Sequence, residues 1–533
     1  MANPYSVDIE QITLENFQSL RERVEIPIRP LTFLFGPNSA GKSSIYDSLA
    51  FVNAVFKGSD DTVKSYINRW SHVSKESVNA EDREFSKMTI EVRFKSWEFF
   101  IGGPGGFLGE LASLPEEFWG KSGLKNLLSD CDTTIDIKLE VTPYEGQHLT
   151  GIISLMDSLA ITIYAGGLKL MRLYTEEDSD EPEVEFFPQA FGTTFKDLAE
   201  RHNVDFSHPR ILKASCWAYN HGRGLELDDD SNNDRYDRDL VKIANHLIRC
   251  LSQTDFLLSN VSADRQTIPN SELSIFLHDE WSKSGVPKNF LYAPIEAAQS
   301  LSRSISSSIY QMARSRFEDI YQEATGQQTR FNDDEMLHTF VNRSLSHHLF
   351  LDQGYQVVFD VCELKPPIGK DVKKGTFAAL LVAHLIDSAG RRMTFEDVGT
   401  GISCVLPVIV AMYEKQSFIQ QPELHLHPAL QSALGDILVE SVNREGAGQH
   451  LIETHSDYLL LRCLRRIRET SNHKISENSN LKLKPTDLSI LYFDPQADGS
   501  TRIKPIRVSS QGDFLDRWPR GFFEERGKDL FDE

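Results

Sequence analysis

Eight residues, Gly36-Pro37-Asn38-Ser39-Ala40-Gly41-Lys42-Ser43, constrain this chain more than any others. They follow Leu31-Thr32-Phe33-Leu34-Phe35, a short, continuously apolar run of the kind that forms a strand buried on both faces. From Lys42 to about Phe56 the apolar spacing becomes helical. A strand, a glycine-bounded loop and a helix in that order make the G-x-x-x-x-G-K-[ST] pattern a phosphate cradle. Its glycines let the backbone wrap closely round phosphate oxygens, and successive N–H groups with the helix N-terminus supply positive potential. In such a loop Lys42 neutralises the β- and γ-phosphates, Ser43 offers its hydroxyl to Mg2+, and Ser44 opens the helix behind them.

Composition narrows the setting. Lys and Arg number 56 against 78 Asp and Glu, a net charge of −22, which argues against a surface that coats nucleic acid and leaves room only for a local basic stripe. At 40% hydrophobic and 25% charged residues the chain reads as globular. No run approaches the ~18 apolar residues of a membrane-spanning helix, and Met1–Glu10 lacks a basic-then-apolar leader pattern. Six scattered cysteines without a C-x-x-C pair suit buried thiols in a reducing compartment. The expectation is a soluble cytoplasmic protein.

A phosphate cradle alone does not separate kinases, GTPases, helicases and ABC-type ATPases. Three later segments do. Glu396-Asp397-Val398-Gly399-Thr400-Gly401-Ile402-Ser403 precedes an apolar helical stretch, Val405–Met412, so small residues cap a helix N-terminus. Phe418-Ile419-Gln420-Gln421-Pro422-Glu423-Leu424-His425-Leu426-His427-Pro428 closes an apolar run. Leu451-Ile452-Glu453-Thr454-His455-Ser456 reads as a strand ending at a histidine. Each is weak alone; their order and spacing carry the weight.

With these residues the chain resembles the RecF- and OLD-like ABC-type ATPases of bacteria, AAA-family relatives of SMC heads. The resemblance lies in "ITLENFQSL", "DVGTGIS" followed by "VLPVIV", "PELHLHP" and "ETHSDYLLLR", within roughly the first 60 and last 140 residues. The string "DRWPRGFF" at Asp516–Phe523 looks like the tail of one uncharacterised branch. The fold so implied is α/β: an ABC-type P-loop head with a mixed β-sheet lobe and a helical lobe, a large mid-chain insertion and no long coiled coil. Its expected parts are 1–82 with the P-loop, 83–350 as a β-rich and then helical insertion, 351–470 completing the head, and 471–533 as a tail packed on it. The same resemblance implies ATP with Mg2+ and a head-to-head homodimer. Each nucleotide would lie between Lys42 of one subunit and the signature loop of the other, where Gly399, Thr400, Gly401 and Ser403 are the candidate contacts. His425 falls in the D-loop, and His455 becomes the switch histidine that senses the γ-phosphate.

One departure stands out. Where this group carries the Walker B acid, the chain has Gln420, and Gln421 follows where many relatives carry a catalytic glutamate. An amide cannot act as a general base and adds no charge to a metal shell. Three readings remain open: an engineered trap that retains ATP, a natural slow ATPase, or Glu423 moving in as the acid. All predict a chain that binds ATP, and the first two predict poor hydrolysis.

His425, His427, His450 and His455 invite a zinc reading, but their spacing and the P-loop context favour loop roles. Arg462, Arg465, Arg466 and Arg468 form a basic stripe that would meet a nucleic-acid backbone or, more plainly, pair with the surplus acids. Trp518-Pro519-Arg520-Gly521-Phe522-Phe523 reads as a strap on the core or a docking site. No nuclease signature stands out. The expected function is therefore a sensor or scaffold ATPase of prokaryotic anti-phage defence, acting with a separate nuclease or toxin. The alternative is a RecF-like repair or chromosome-maintenance ATPase that binds DNA directly.

Overall fold

The computed structural model describes residues 7–57, 87–95, 133–141, 158–165, 168–175, 182–186, 210–217, 225–227, 245, 256, 259–263, 274–281, 287–291, 311–312, 337–363, 378–395, 397–444 and 448–519. Strands β1 (Asp8–Glu15) and β2 (Val24–Pro27) form a hairpin ahead of β3 (Leu31–Phe35), which runs into helix α1 (Ser44–Lys57). A meander follows: β4 (Met88–Lys95), β5 (Thr133–Val141), β6 (Ser158–Ala165), β7 (Leu168–Thr175), β8 (Pro182–Phe186), β9 (Arg210–Trp217) and β10 (Leu225–Leu227). Together with β1 and β2 it makes a nine-stranded antiparallel sheet in the order β10-β9-β8-β7-β6-β5-β4-β1-β2. Alternation explains it: in β4 and β5 the residues Ile90, Val92, Ile135, Ile137 and Leu139 are buried while their charged neighbours face outward. β1 thus pairs with β4 across the P-loop, and the division expected between 82 and 83 runs through one sheet.

Next come β11 (Ser259–Val261), β12 (Ser274–Trp281) and β13 (Pro287–Leu291), then α2 (Leu337–Arg343) with a short π-helical extension, Ser344–Leu349. β14 (Gln356–Glu363), β15 (Ala378–Ile386) and the two-residue β16 (Arg392–Met393) join β12 and β13 in a third, antiparallel sheet. The later part of 83–350, expected to be helical, thus holds three strands, β11 to β13, among its described residues. Pro287 opens β13, a position where the missing N–H costs little.

The remaining elements build the core around β3: α3 (Thr400–Tyr413), β17 (Gln416–Gln420), α4 (Pro428–Ser441), β18 (Gln449–Glu453), α5 (Asp457–Ser471), β19 (Leu488–Pro495) and β20 (Thr501–Pro505). Their sheet has the order β11-β17-β18-β3-β19-β20, parallel from β11 to β19 and closed by an antiparallel edge. All five residues of β3 are buried, as expected for a central strand covered on both faces. Every residue from Ile402 to Met412 in α3 is buried, so this helix is apolar all round and lies inside the core. α5 is amphipathic: Leu459, Leu460, Cys463, Leu464 and Ile467 face inward, and the Ser456 hydroxyl caps its start by accepting from the Leu459 N–H. Burial pushes the Cys463 thiol up to about 12, the behaviour of an unreactive core cysteine. Gln449 ties the two large sheets together, its side chain accepting from the Ile9 N–H and donating to the Ile9 carbonyl. Among the described residues the longest helix has 15 residues, and no helix is long and apolar enough to cross a membrane. The architecture is a mixed α/β P-loop fold, with the phosphate loop leaving the central strand of a mostly parallel sheet.

Candidate nucleotide site

Parallel strands β17, β18 and β3 end together, and Lys42, Gln420, Glu423, Glu453 and His455 gather at those ends. Gly36 leaves β3 at φ +142°, and a Cβ there would lie 2.6 Å from the Phe493 carbonyl oxygen of β19. Gly41 sits at φ +80°, where a Cβ would lie 2.3 Å from Ser19 Oγ. Both glycines are thus required by backbone conformation and by close neighbours. Gly36→Ala is expected to destabilise the protein by about 1–3 kcal/mol through strain alone. An unchanged urea midpoint would show that the loop has room to relax. Between the glycines, Pro37, Asn38 and Ser39 form the exposed rim, with Ser39 at φ +63°, while Ala40 is buried.

Lys42 is only 3% exposed. Its Nζ donates to the carbonyls of Gly36 at 3.0 Å and Pro37 at 2.9 Å, and stands 3.4 Å from Glu453 Oε1. Ser43 is partly exposed at the mouth of the loop. Ser44 is buried, its N–H donating to the Gly41 carbonyl and its hydroxyl to Gln18 Oε1 at 2.7 Å. Gln18 in turn donates to Asp47 Oδ2 at 2.7 Å, so the "ITLENFQSL" segment clamps the first turn of α1.

On the neighbouring strands, Gln420 and Glu453 are direct partners in register, and Gln420 Nε2 donates to Glu453 Oε2 at 3.4 Å. Gln421 turns back at φ +45°, its N–H donating to the Glu453 carbonyl at 2.6 Å. Glu423 uses both carboxylate oxygens on the loop after β18: Oε2 accepts from Thr454 Oγ1 at 2.7 Å and Oε1 from the His455 N–H at 2.9 Å. The carboxylate is thus engaged in fixing the histidine loop. His455 itself is exposed. Partial desolvation beside the P-loop and then the charge of Lys42 nonetheless hold its pKa below the ordinary imidazole value, against the pull of Glu423 and Glu453.

The candidate signature residues divide. Gly399 caps α3, and it and Thr400 are exposed at the helix N-terminus. A Cβ on Gly401 would lie 3.1 Å from the His425 carbonyl, which brings the two loops into contact. Ser403, expected to contact nucleotide, is 0% exposed. It belongs to the fully buried stretch of α3, and helical phase turns its hydroxyl into the core rather than toward a ligand.

The histidines are dispersed. His425 is exposed at φ +62°, His427 caps α4 by accepting from the Ala429 N–H, and His450 is buried beside Ser417 Oγ at 2.7 Å. Burial drives the His450 ring down to about 3, so it stays neutral. Among the described residues, no His, Cys, Asp or Glu group of three or more is placed to hold a metal.

The arginines face their own acids. Arg462 and Arg466 both donate to Asp436, Arg465 and Arg466 to Glu469, and Arg468 to Asp513. This is the solvated, internally paired face, not an open cationic patch. Trp518 packs edge-on against Phe35, Tyr492 and Phe514, as a strap behind the P-loop; Arg520–Phe523 lie outside the described residues. Sequence reasoning missed Glu453, Gln18 and Phe493. The first two lay inside quoted strings, but only strand adjacency and the α1 clamp give them work.

Comparison with known proteins agrees with this geometry. Residues 8–204 match the family profile described as "AAA ATPase domain", and 229–462 one described as "AAA domain, putative AbiEii toxin, Type IV TA system". Residues 483–532 match "Protein of unknown function (DUF3696)". No curated protein matches the sequence. Similar solved structures include an SMC head bound to the C-winged helix domain of ScpA, at 11% identity and TM-score 0.39, covering 94% of this chain and 98% of that one. The SMC head domain from Thermotoga maritima matches at 11% identity and TM-score 0.34, covering 94% and 100%. An SMC head with a coiled coil and joint from Pyrococcus yayanosii matches at 11% and 0.37, covering 95% and 98%. The two AAA profiles, one containing the P-loop and the other the segments that close round it, support a P-loop ATPase of the AAA kind.

Proposed function

We propose that this protein binds ATP with Mg2+, dimerises head to head around it, and serves as the sensor or scaffold ATPase of a prokaryotic anti-phage defence system with a separate nuclease or toxin. One observation carries the reading: Lys42, Gln420, Glu453 and the Glu423-anchored His455 loop converge at one sheet edge, while the capping end of α3 stays exposed. The residues fit the cofactor. Gly36 and Gly41 let the loop backbone pack against Phe493 and Ser19 in conformations other residues rarely adopt, and Ser43 lies outside the side-chain clamp that engages Ser44. Ser43 and the phosphates would hold Mg2+, which supplies charge neutralisation to the leaving group. Lys42 turns from its loop carbonyls to the phosphates, and the neutral His455 ring offers one N–H to the terminal phosphate. The exposed N-terminus at Gly399 and Thr400 provides positive potential for the partner subunit's nucleotide.

Support for defence comes from the second AAA profile, whose description names a toxin–antitoxin system. The DNA-repair alternative loses its best contact, since Asp436 and Glu469 already neutralise Arg462, Arg465 and Arg466. The test is phage plaquing on cells carrying the gene with its neighbours. Protection that vanishes with Lys42→Ala supports the reading; no protection, with tight salt-dependent DNA binding by the purified chain, overturns it.

Because Gln420 stands at the usual acid position, turnover is expected to be slow. Gln420→Glu should raise phosphate release about 100-fold, the scale of one positioned general base. Equal and robust rates in both proteins would remove Gln420 as the cause.

A further inference from the structure

We propose that Glu453, one strand away from the usual acid position, is the working carboxylate of this site and accepts the proton of the attacking water. The proposal rests on the ATPase reading above.

Geometry singles this residue out. Register places Glu453 opposite Gln420 on one side and Leu34 on the other, so it stands at the strand ends between Gln420 and the P-loop. Its side chain is 13% exposed, with Oε1 3.4 Å from Lys42 Nζ and Oε2 receiving the Gln420 amide at 3.4 Å. The other acids nearby are engaged: Glu423 holds the His455 loop with both oxygens, and Asp47 accepts from Gln18. Gln421 adds a third fixture by donating its N–H to the Glu453 carbonyl, which pins the backbone that carries the carboxylate.

The arrangement has two states. With the loop empty, Glu453 pairs with Lys42 and holds the ammonium down against its own loop carbonyls. When phosphates draw Lys42 away, the carboxylate loses its cation while the Gln420 amide still orients it. Water then attacks the γ-phosphorus as the bond from that phosphorus to the β–γ bridging oxygen breaks. ADP leaves with the bonding electron pair, and the water proton passes to Glu453 and on to solvent. The Gln420 amide, donating to Oε2, keeps that carboxylate fixed at the strand ends. Gln420 is thereby a positioning residue, not simply a lost acid.

The test uses the full-length chain, with ATP binding measured by equilibrium dialysis and cleavage followed in single turnover. Glu453→Gln keeps the shape and the contact with Gln420. It is expected to slow cleavage about 100-fold and flatten the acidic limb of the pH–rate profile. ATP affinity should stay equal or tighten, since Lys42 is released. Glu453→Asp should recover part of the rate. In the Gln420→Glu background, loss of Glu453 should cost far less than in the parent. Unchanged cleavage in Glu453→Gln overturns the proposal and leaves the ATPase reading intact; so does a parent that holds ATP uncleaved. Lost ATP binding with normal cleavage per bound nucleotide reduces Glu453 to a support for Lys42 and also overturns it. A parent that binds no ATP at all overturns the ATPase reading itself.

Discussion

Alanine at position 42 is expected to weaken ATP binding by about 100- to 1,000-fold, the range for losing one buried, preorganised charged donor. Lys42 is the cation that the structure places inside the loop, held by the Gly36 and Pro37 carbonyls and by Glu453. Its removal takes away the charge meant for the phosphates and also leaves the Glu453 carboxylate facing those carbonyls. Apo stability should therefore fall as well, by about 1–3 kcal/mol for the carboxylate left without its cation. Two measurements check this: nucleotide affinity by dialysis, and the denaturant midpoint without nucleotide. An affinity within a few-fold of the parent would mean that phosphates do not bind in this loop.

Trp518→Ala is expected to cost about 3–5 kcal/mol of stability, as for other buried tryptophans cut to a methyl group. The ring is 7% exposed, with centroids 5.2 Å from Phe35, 5.3 Å from Phe514 and 6.2 Å from Tyr492, all edge-on. Edge-to-face contacts of this kind add to simple burial. Phe35 is the residue before Gly36, so the cavity would open directly behind the phosphate loop, and ATP affinity should drop together with the melting temperature. Trp518→Phe should retain most of both. A normal melting temperature in Trp518→Ala, with loss of a partner protein, would make the tail a docking element instead.

How much of this was legible in the sequence follows from how local each feature is. β3, the P-loop and α1 are written in consecutive residues, because a strand, a glycine turn and a helix are set by short-range sterics and periodicity. Glu453 was quoted but given no role, since its importance arises from lying beside Gln420 and Lys42, far off along the chain. Ser403 was placed at the nucleotide because the run after Gly401 is apolar on every side and carries no sign of which face is outward. β12 and β13 escaped for a similar reason, as β12 pairs with β15, which comes about a hundred residues later. The arginine stripe looked open because Asp436 belongs to a different helix.

The pairing of β3 bears on how the protein is made. Leu31 lies against His450 on one side and Leu488 on the other. Both partners come more than 400 residues after Leu31, so β3 waits for them before it is covered. Contacts so distant in sequence make folding slow and leave apolar strand edges exposed meanwhile. During synthesis β3 would be a hazard for mispairing, and β1, β2 and β4, closed early into their own sheet, would shield the chain around it. Because Gly36 packs against the Phe493 carbonyl, the phosphate loop reaches its final shape only once β19 has docked.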